Sequence, residues 1–417
     1  MKGEDLRPQY EAYPYPARDP RDEAKRLVTG SPSHLDELNH FGFGGRLDFR
    51  RPFRVLVAGG GTGDATVMLA QQAKDAGLPA EILHLDLSDA SRAVARARVE
   101  ARGLAGVRFE RGSLLELGGL GPFDYVDCCG VLHHLEDPAA GLRSLAGALA
   151  PGGAMGVMVY GAYGRTGLYP LQDALRQIGA DLPPAERVAQ ARRLLDRLPQ
   201  TNWFRRNPFL GDHRESDAGL YDLLLHSRDR AYTVPEFAEL AAAGGLAVAA
   251  LVEPARYDPA TWLDDPALLA PLARRPWLER AAFAERVAGS LTKHVAYLVR
   301  PADAEGAVAR PDDEAVVPVL RDLDGPGLAR GLKPGATLRV ELAGLRLALP
   351  LPRLAGPLLA RIDGRTSLGE LHRALRQADS GLTWDAFAAQ FDALYRPLNG
   401  LAKLLLRRPV PPRAPGS

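Results

Sequence analysis

The 417-residue sequence predicts an α/β protein: a doubly wound sheet with helical insertions, followed by a smaller α+β C-terminal domain. Three observations carry this. Short apolar runs alternate with amphipathic helical stretches from residue 54 onward. A glycine turn joins the first run to the first helix. A Pro/Asp/Ala-rich stretch at 301–315 then separates two regions of different pattern. The length also exceeds what one ordinary core uses.

The elements follow in order. Residues 1–50 are rich in aromatics, prolines and glycines and read as an ordered arm, with one helix near 22–29. RVLVA at 54–58 is a strand, GGGTG a turn, and 64–76 a helix stopped by Gly77. EILHLDL at 81–87 is the second strand and 91–102 the second helix. Strands at 107–111, 123–129 and 154–160 follow, with a helix at 139–149 before the last of these. Residues 161–230 interrupt the alternation with helical segments. It resumes with a helix at 234–243 and strands at 247–252 and 294–299, the latter preceded by an inserted helical pair at 260–292. The alternating domain therefore spans 51–300 and the linker 301–315. A C-terminal domain fills 316–408, with a hairpin at 336–351 and helices at 352–362, 367–377 and 384–406. Residues 409–417 read as a disordered tail.

Composition narrows the function classes. The chain is 46% hydrophobic and 25% charged, as folded proteins are. Its 52 basic and 51 acidic residues leave a formal charge of +1, so no global field draws it to nucleic acid or an anionic membrane. The start is polar and proline-rich, and no apolar run reaches bilayer length. The only cysteines, Cys128 and Cys129, are adjacent and cannot staple distant segments. A cytoplasmic protein with no membrane contact is expected.

Gly59, Gly61 and Gly63 stand where a Cβ would block a tight turn and the approach of a ligand, ahead of a helix N-terminus suited to an anion. A dinucleotide fingerprint would need glycine at Asp64 or Thr66. Asp86, ending the second strand, is placed to accept both ribose hydroxyls of a nucleoside cofactor; the structural alternative is a helix cap or turn. Together with FDYVDCCGVLHHLEDP at 123–138 and the Leu149-Ala150-Pro151-Gly152-Gly153 turn, this pattern resembles class I S-adenosylmethionine-dependent methyltransferases, densely over 54–160 and loosely over 231–300.

The resemblance implies a Rossmann-like fold, S-adenosyl-L-methionine as cofactor, and Ser113 near adenine, where many relatives carry an acid. It also places His133 and His134 beside the methyl group, where either would serve as a base. The plainer reading is that one packs under the helix at 139–149 and the other caps a loop. The tyrosine/proline arm, including Tyr13, is expected to close over the cofactor as a lid. The arm, GRTGLY and YDLLLHSRDRAY look like one bacterial subgroup, which makes Arg165, Asp222, His226, Arg230 and Tyr232 candidates for the acceptor pocket, against an ion-paired helix face. The C-terminal segment, with ARIDGRTSLGEL at 360–371, resembles small winged-helix modules that grip peptides. It points to protein contact more than to nucleic acid.

No metal-ligand spacing stands out, and no cysteine trio exists for an iron–sulfur cluster. The expected activity is methyl transfer to a small-molecule or peptide/protein acceptor. A cofactor-binding regulator without turnover remains as an alternative. A nucleotide-linked oxidoreductase fits less well, because Tyr160 and Tyr163 are followed at the lysine position by Gly164 and Gly167.

Overall fold

The computed structural model describes residues 7–342 and 344–409. The expected disordered tail therefore lies, Pro409 apart, outside the described residues. Eight strands form the main sheet: β1 (Phe53–Ala58), β2 (Ala80–Asp86), β3 (Val107–Arg111), β4 (Phe123–Cys129), β5 (Leu149–Gly161), β6 (Ala231–Tyr232), β7 (Ala247–Leu251) and β8 (Lys293–Val299). Their order is β3-β2-β1-β4-β5-β8-β7, with the short β6 beside the end of β5. Strands β1 to β6 pair in parallel, whereas β8 runs antiparallel to both β5 and β7. The order reverses between β1 and β4, the switch point where ligands bind in open α/β sheets. This is a Rossmann-like α/β fold with a smaller C-terminal unit.

Both sheet faces are covered, which is why the central strands are largely apolar, whereas the edge strand β3 (VRFER) carries charges and has no buried residue. One core packs β4 and β5 residues such as Val126, Cys128 and Val157 against Leu142, Leu145, Phe237 and Ala281. The opposite core packs Val55, Val57 and Tyr125 against Leu38, Phe41, Leu69 and Ala73. The helices involved include α1 (Arg7–Ala12) and α2 (Leu35–Gly42) of the arm, then α3 (Asp64–Ala76), α4 (Asp89–Ala101) and α5 (Pro138–Gly147). Next come α6 (Leu168–Gly179) and α7 (Pro184–Leu195) of the insertion, then α8 (Val234–Ala243) and α9 (Trp277–Ala288).

The arm differs from expectation. Where a helix was expected near 22–29, the chain makes a single 3-10 turn, Pro20–Ala24, capped by Asp19. Its Glu23 is drawn inward to pair with Arg98 and Arg102, which fixes the chain on α4 as it leaves the turn. The real helix is α2, whose apolar face periodicity alone did not expose. The insertion has its own core of Leu168, Leu171, Leu175, Phe204, Tyr221 and Leu224. It ends in a π turn at Tyr221–Leu225, a local form common at functional sites.

The C-terminal unit contains β9 (Val317–Leu320), the hairpin β10 (Thr337–Leu342) and β11 (Leu345–Pro350), α10 (Leu368–Arg376), α11 (Trp384–Gly400) and β12 (Leu404–Arg407). The expected last helix, 384–406, thus stops early. Its end becomes β12, which pairs antiparallel with β9. This unit has its own core, and its contact with α2 is buried and mixed: Ala402 and Leu405 join the core around Leu38 and Phe41, with polar pairs beside them. Glu37 pairs with Arg321, and His40 Nδ1 accepts the Leu406 N–H.

Candidate active site

Glycines 59, 61 and 63 all adopt positive φ between β1 and α3. A Cβ on Gly61 would stand 2.8 Å from the Tyr15 carbonyl oxygen, so the arm lies directly on the turn. Asp86, at the end of β2, accepts the Gly61 N–H through Oδ2 and the Ser88 N–H through Oδ1, each at 2.8 Å. Burial raises its pKa, and these two backbone bonds work against that rise. The cap of α4 is Ser88, whose Oγ accepts the Ser91 N–H, so Asp86 is not the cap. Each Asp86 oxygen retains a second lone-pair direction. Ser113, half-buried after β3, accepts the Leu115 N–H, as a turn residue does.

The arm is fastened along this edge. Thr62 Oγ1 donates to the Pro16 carbonyl at 2.7 Å, and Arg18 grips Asp64 with two bonds. Glu11 accepts the N–H groups of Asp89 and Ala90, where the dipole of α4 favours a carboxylate. Arg98 is fully buried between Glu23 and Asp64. Tyr13 stacks on Tyr221 of the insertion with ring centroids 5.1 Å apart; the arm residue on the glycine turn is Tyr15.

Across the switch point, β4 exits into the turn Leu132–His134. His134 Nδ1 lies 2.7 Å from the Arg228 carbonyl, which only accepts, so Nδ1 carries a hydrogen, and in the neutral ring Nε2 is then the lone-pair nitrogen. His226 has the opposite tautomer: its Nδ1 accepts the Arg228 N–H, leaving Nε2–H directed to Tyr10 Oη at 3.1 Å. The two rings stack with centroids 3.7 Å apart. Asp222, on the π turn, accepts the Tyr160 hydroxyl at 3.0 Å, and burial raises its pKa. Arg165 lies 3.5 Å from the Tyr160 ring centroid and pairs with buried Asp229 at 3.2 Å. His133 packs on Tyr160, and burial drives its pKa well down, so it is neutral.

One nitrogen or oxygen from each of His134, Asp222 and His226 lies within 4.8 Å of the others, a spacing that would suit a metal ion. The tautomers oppose it. A neutral imidazole has one lone-pair nitrogen, and that of His226 is already engaged by the Arg228 N–H. The trio is suited instead to hydrogen bonding: acceptor atoms on neutral His134 and on Asp222, which also takes the Tyr160 hydroxyl, lie beside the His226 donor that meets Tyr10.

The structure thus gathers His133, His134, Arg165, Asp222 and His226 in one cluster. Tyr232 packs in the core with Val234 and Phe237, and Arg230 lies over its ring on the outer side. Tyr160 and Asp229 were missed as site residues, whereas Tyr10 and Tyr15 belong to the arm that the sequence reading expected as a lid.

Residues 56–155 match the family model described as a methyltransferase domain. An uncharacterized protein of Synechococcus, syc1184_c, is 36% identical over 201 residues, covering 47% of each chain. A demethylmenaquinone methyltransferase of Thermus thermophilus is 34% identical over 146 residues, 31% of this chain and 64% of that one. The chain spans about half the length of the curated relatives it first matches. Among solved structures, PKMT2 from Rickettsia typhi aligns over 93% of this chain and 77% of its own, with a TM-score of 0.64 and 16% identity. It has also been solved in complex with AdoHcy. The matched segment is a methyltransferase domain.

Proposed function

We propose that the whole chain is an S-adenosylmethionine-dependent methyltransferase acting on a small-molecule or peptide/protein acceptor. The observation that supports it most is the pairing of two half-sites across the switch point: the glycine turn with Asp86 on one side, the His134–Asp222–His226 cluster on the other. Bound at the turn, the cofactor would supply an activated methyl group on a sulfonium. Gly59, Gly61 and Gly63 would leave room for its backbone-like tail, and Asp86 would hold its ribose, with Ser113 towards the adenine. The arm, with Tyr13 and Tyr15, would act as the lid that excludes water. His134 would take the acceptor's proton through its bare Nε2, held in that tautomer by the Arg228 carbonyl. Asp222 and His226 would orient the acceptor, and Arg165 with Asp229 would hold Tyr160 in place. The C-terminal unit, read as a winged-helix-like module, would contribute protein contact. Among the described residues no helix is long and apolar enough to cross a membrane.

The test is calorimetric titration with S-adenosylmethionine, AdoHcy and NAD, followed by methyl-label transfer to cell extract. Binding of the sulfur nucleosides with labelling is expected, and His134→Asn should keep the binding but lose about 100-fold or more in transfer. Tight NAD binding without response to either sulfur nucleoside would overturn the reading. Binding without any labelling would favour the regulator.

A further inference from the structure

The C-terminal unit carries an aromatic groove of about 300 Å³ that methyl transfer does not use. Trp384, Phe387, Phe391 and Asp392 come from one face of α11, and Pro311 and Leu368 form the opposite wall. The spacing explains the shared face: residues 384, 387, 391 and 392 follow the helical repeat. Trp384 is half-buried, with its ring 5.3 Å from that of Phe387, so its open face stands beside the Asp392 carboxylate, while Phe387 and Phe391 are buried as the floor beneath it. We propose that this groove is the docking site for the chain's own proline-rich segment 409–417, PVPPRAPGS.

Three observations converge on that occupant. First, the chain leaves β12 at the groove. Arg408 is fixed to Asp312 by two bonds of 2.7 and 3.0 Å, and Asp312 directly follows the groove residue Pro311. Second, the reach suffices. Nine residues in the extended polyproline form span roughly 28 Å, while Trp384 to Asp392 along the helix covers about 12 Å. Third, the chemistry matches. Polyproline ridges are stiff, lose little entropy on binding, and seat in grooves lined by aromatic rings. The segment carries four prolines and one cation, Arg413, and the groove offers the Trp384 ring for the prolines and the Asp392 carboxylate for the cation. The present partner of Asp392 is Arg396, exposed and one helical turn away, and such a pair is exchanged at little cost. The tether matters as well: a short linker gives an effective concentration in the millimolar range, so even a weak peptide docks for much of the time.

The experiment labels the full chain with 5-fluorotryptophan. Its four tryptophans give four fluorine resonances, and Trp384→Phe assigns the relevant one. In the full chain that resonance should be displaced relative to a Pro411→Gly/Pro412→Gly variant. Adding a synthetic peptide of residues 407–417 to the variant should restore the displacement. The Arg413→Glu peptide should bind about two- to fivefold more weakly, and Asp392→Arg in the protein should recover it. The three other resonances should stay fixed, which excludes unfolding as the cause. A Trp384 resonance identical with and without the two prolines, and unmoved by the peptide, would overturn the proposal. A displacement that grows with protein concentration would overturn it in favour of the tail of a second copy.

Discussion

Removing the Asp86 carboxylate separates a cofactor ligand from a mere structural tether, and the geometry sets the size of both effects. Asp86→Ala takes away the acceptor of two backbone N–H groups, those of Gly61 and Ser88, both at 2.8 Å. Bonds to a charged acceptor contribute about 1.5–3 kcal/mol each when fully desolvated. The site is partly open, so water recovers much of this, and the apo protein should lose about 1–3 kcal/mol. Cofactor binding should weaken by a further ~2–3 kcal/mol, about 30–150-fold, as the ribose hydroxyls lose their acceptor. Asp86→Asn should lose less in both, because its one carbonyl oxygen still accepts one N–H. From the sequence alone the apo stability would be expected to hold, since a strand-end carboxylate facing an empty cleft stabilises little. The bond to Gly61 changes that expectation. The assay is a denaturant melt without ligand together with calorimetric titration of S-adenosylmethionine and AdoHcy. If Asp86→Ala lowers stability but leaves affinity per folded molecule within twofold, the carboxylate is only a tether and the cofactor site lies elsewhere.

Gly61→Val places a β-branched side chain at φ +52° and 2.8 Å from the Tyr15 carbonyl; calorimetry should show cofactor binding abolished while circular dichroism stays near wild type, and unchanged affinity would show that the turn is not the site. Arg321→Ala strips the buried Glu37 of its cation, so a full-chain melt should show a loss of about 3–5 kcal/mol, and Glu37→Gln with Arg321→Met should recover most of it. A fragment of residues 1–305 should melt lower for the same reason, since His40 also loses its Leu406 donor; a fragment as stable as the full chain would mean that the α2 interface contributes nothing.

The sheet was legible because its central strands are largely apolar on both faces and its helices carry ordinary stop signals, such as the left-handed Gly77 closing α3. Strand β12 was not. Asn399-Gly400 at the end of α11 is a helix-stop signal, but the short Leu404-Leu405-Leu406 run beyond it suits helix or strand equally by itself. The partner that decides it, β9, lies some 85 residues earlier and is only four residues long. The site shows the same division. Gly59, Gly61, Gly63 and Asp86 are legible because backbone geometry restricts what can stand there. His134 and His226 carry identical imidazoles, and nothing in the sequence distinguishes their chemistry. It is a single residue, Arg228, that makes them different: its carbonyl takes the proton-bearing nitrogen of one ring, and its N–H fills the lone pair of the other. The backbone of one residue thus leaves the neutral His134 ring an open Nε2 lone pair and leaves His226 able only to donate a hydrogen bond. A substitution that leaves the Arg228 side chain in place but shifts its backbone would therefore exchange or erase those roles without touching either imidazole.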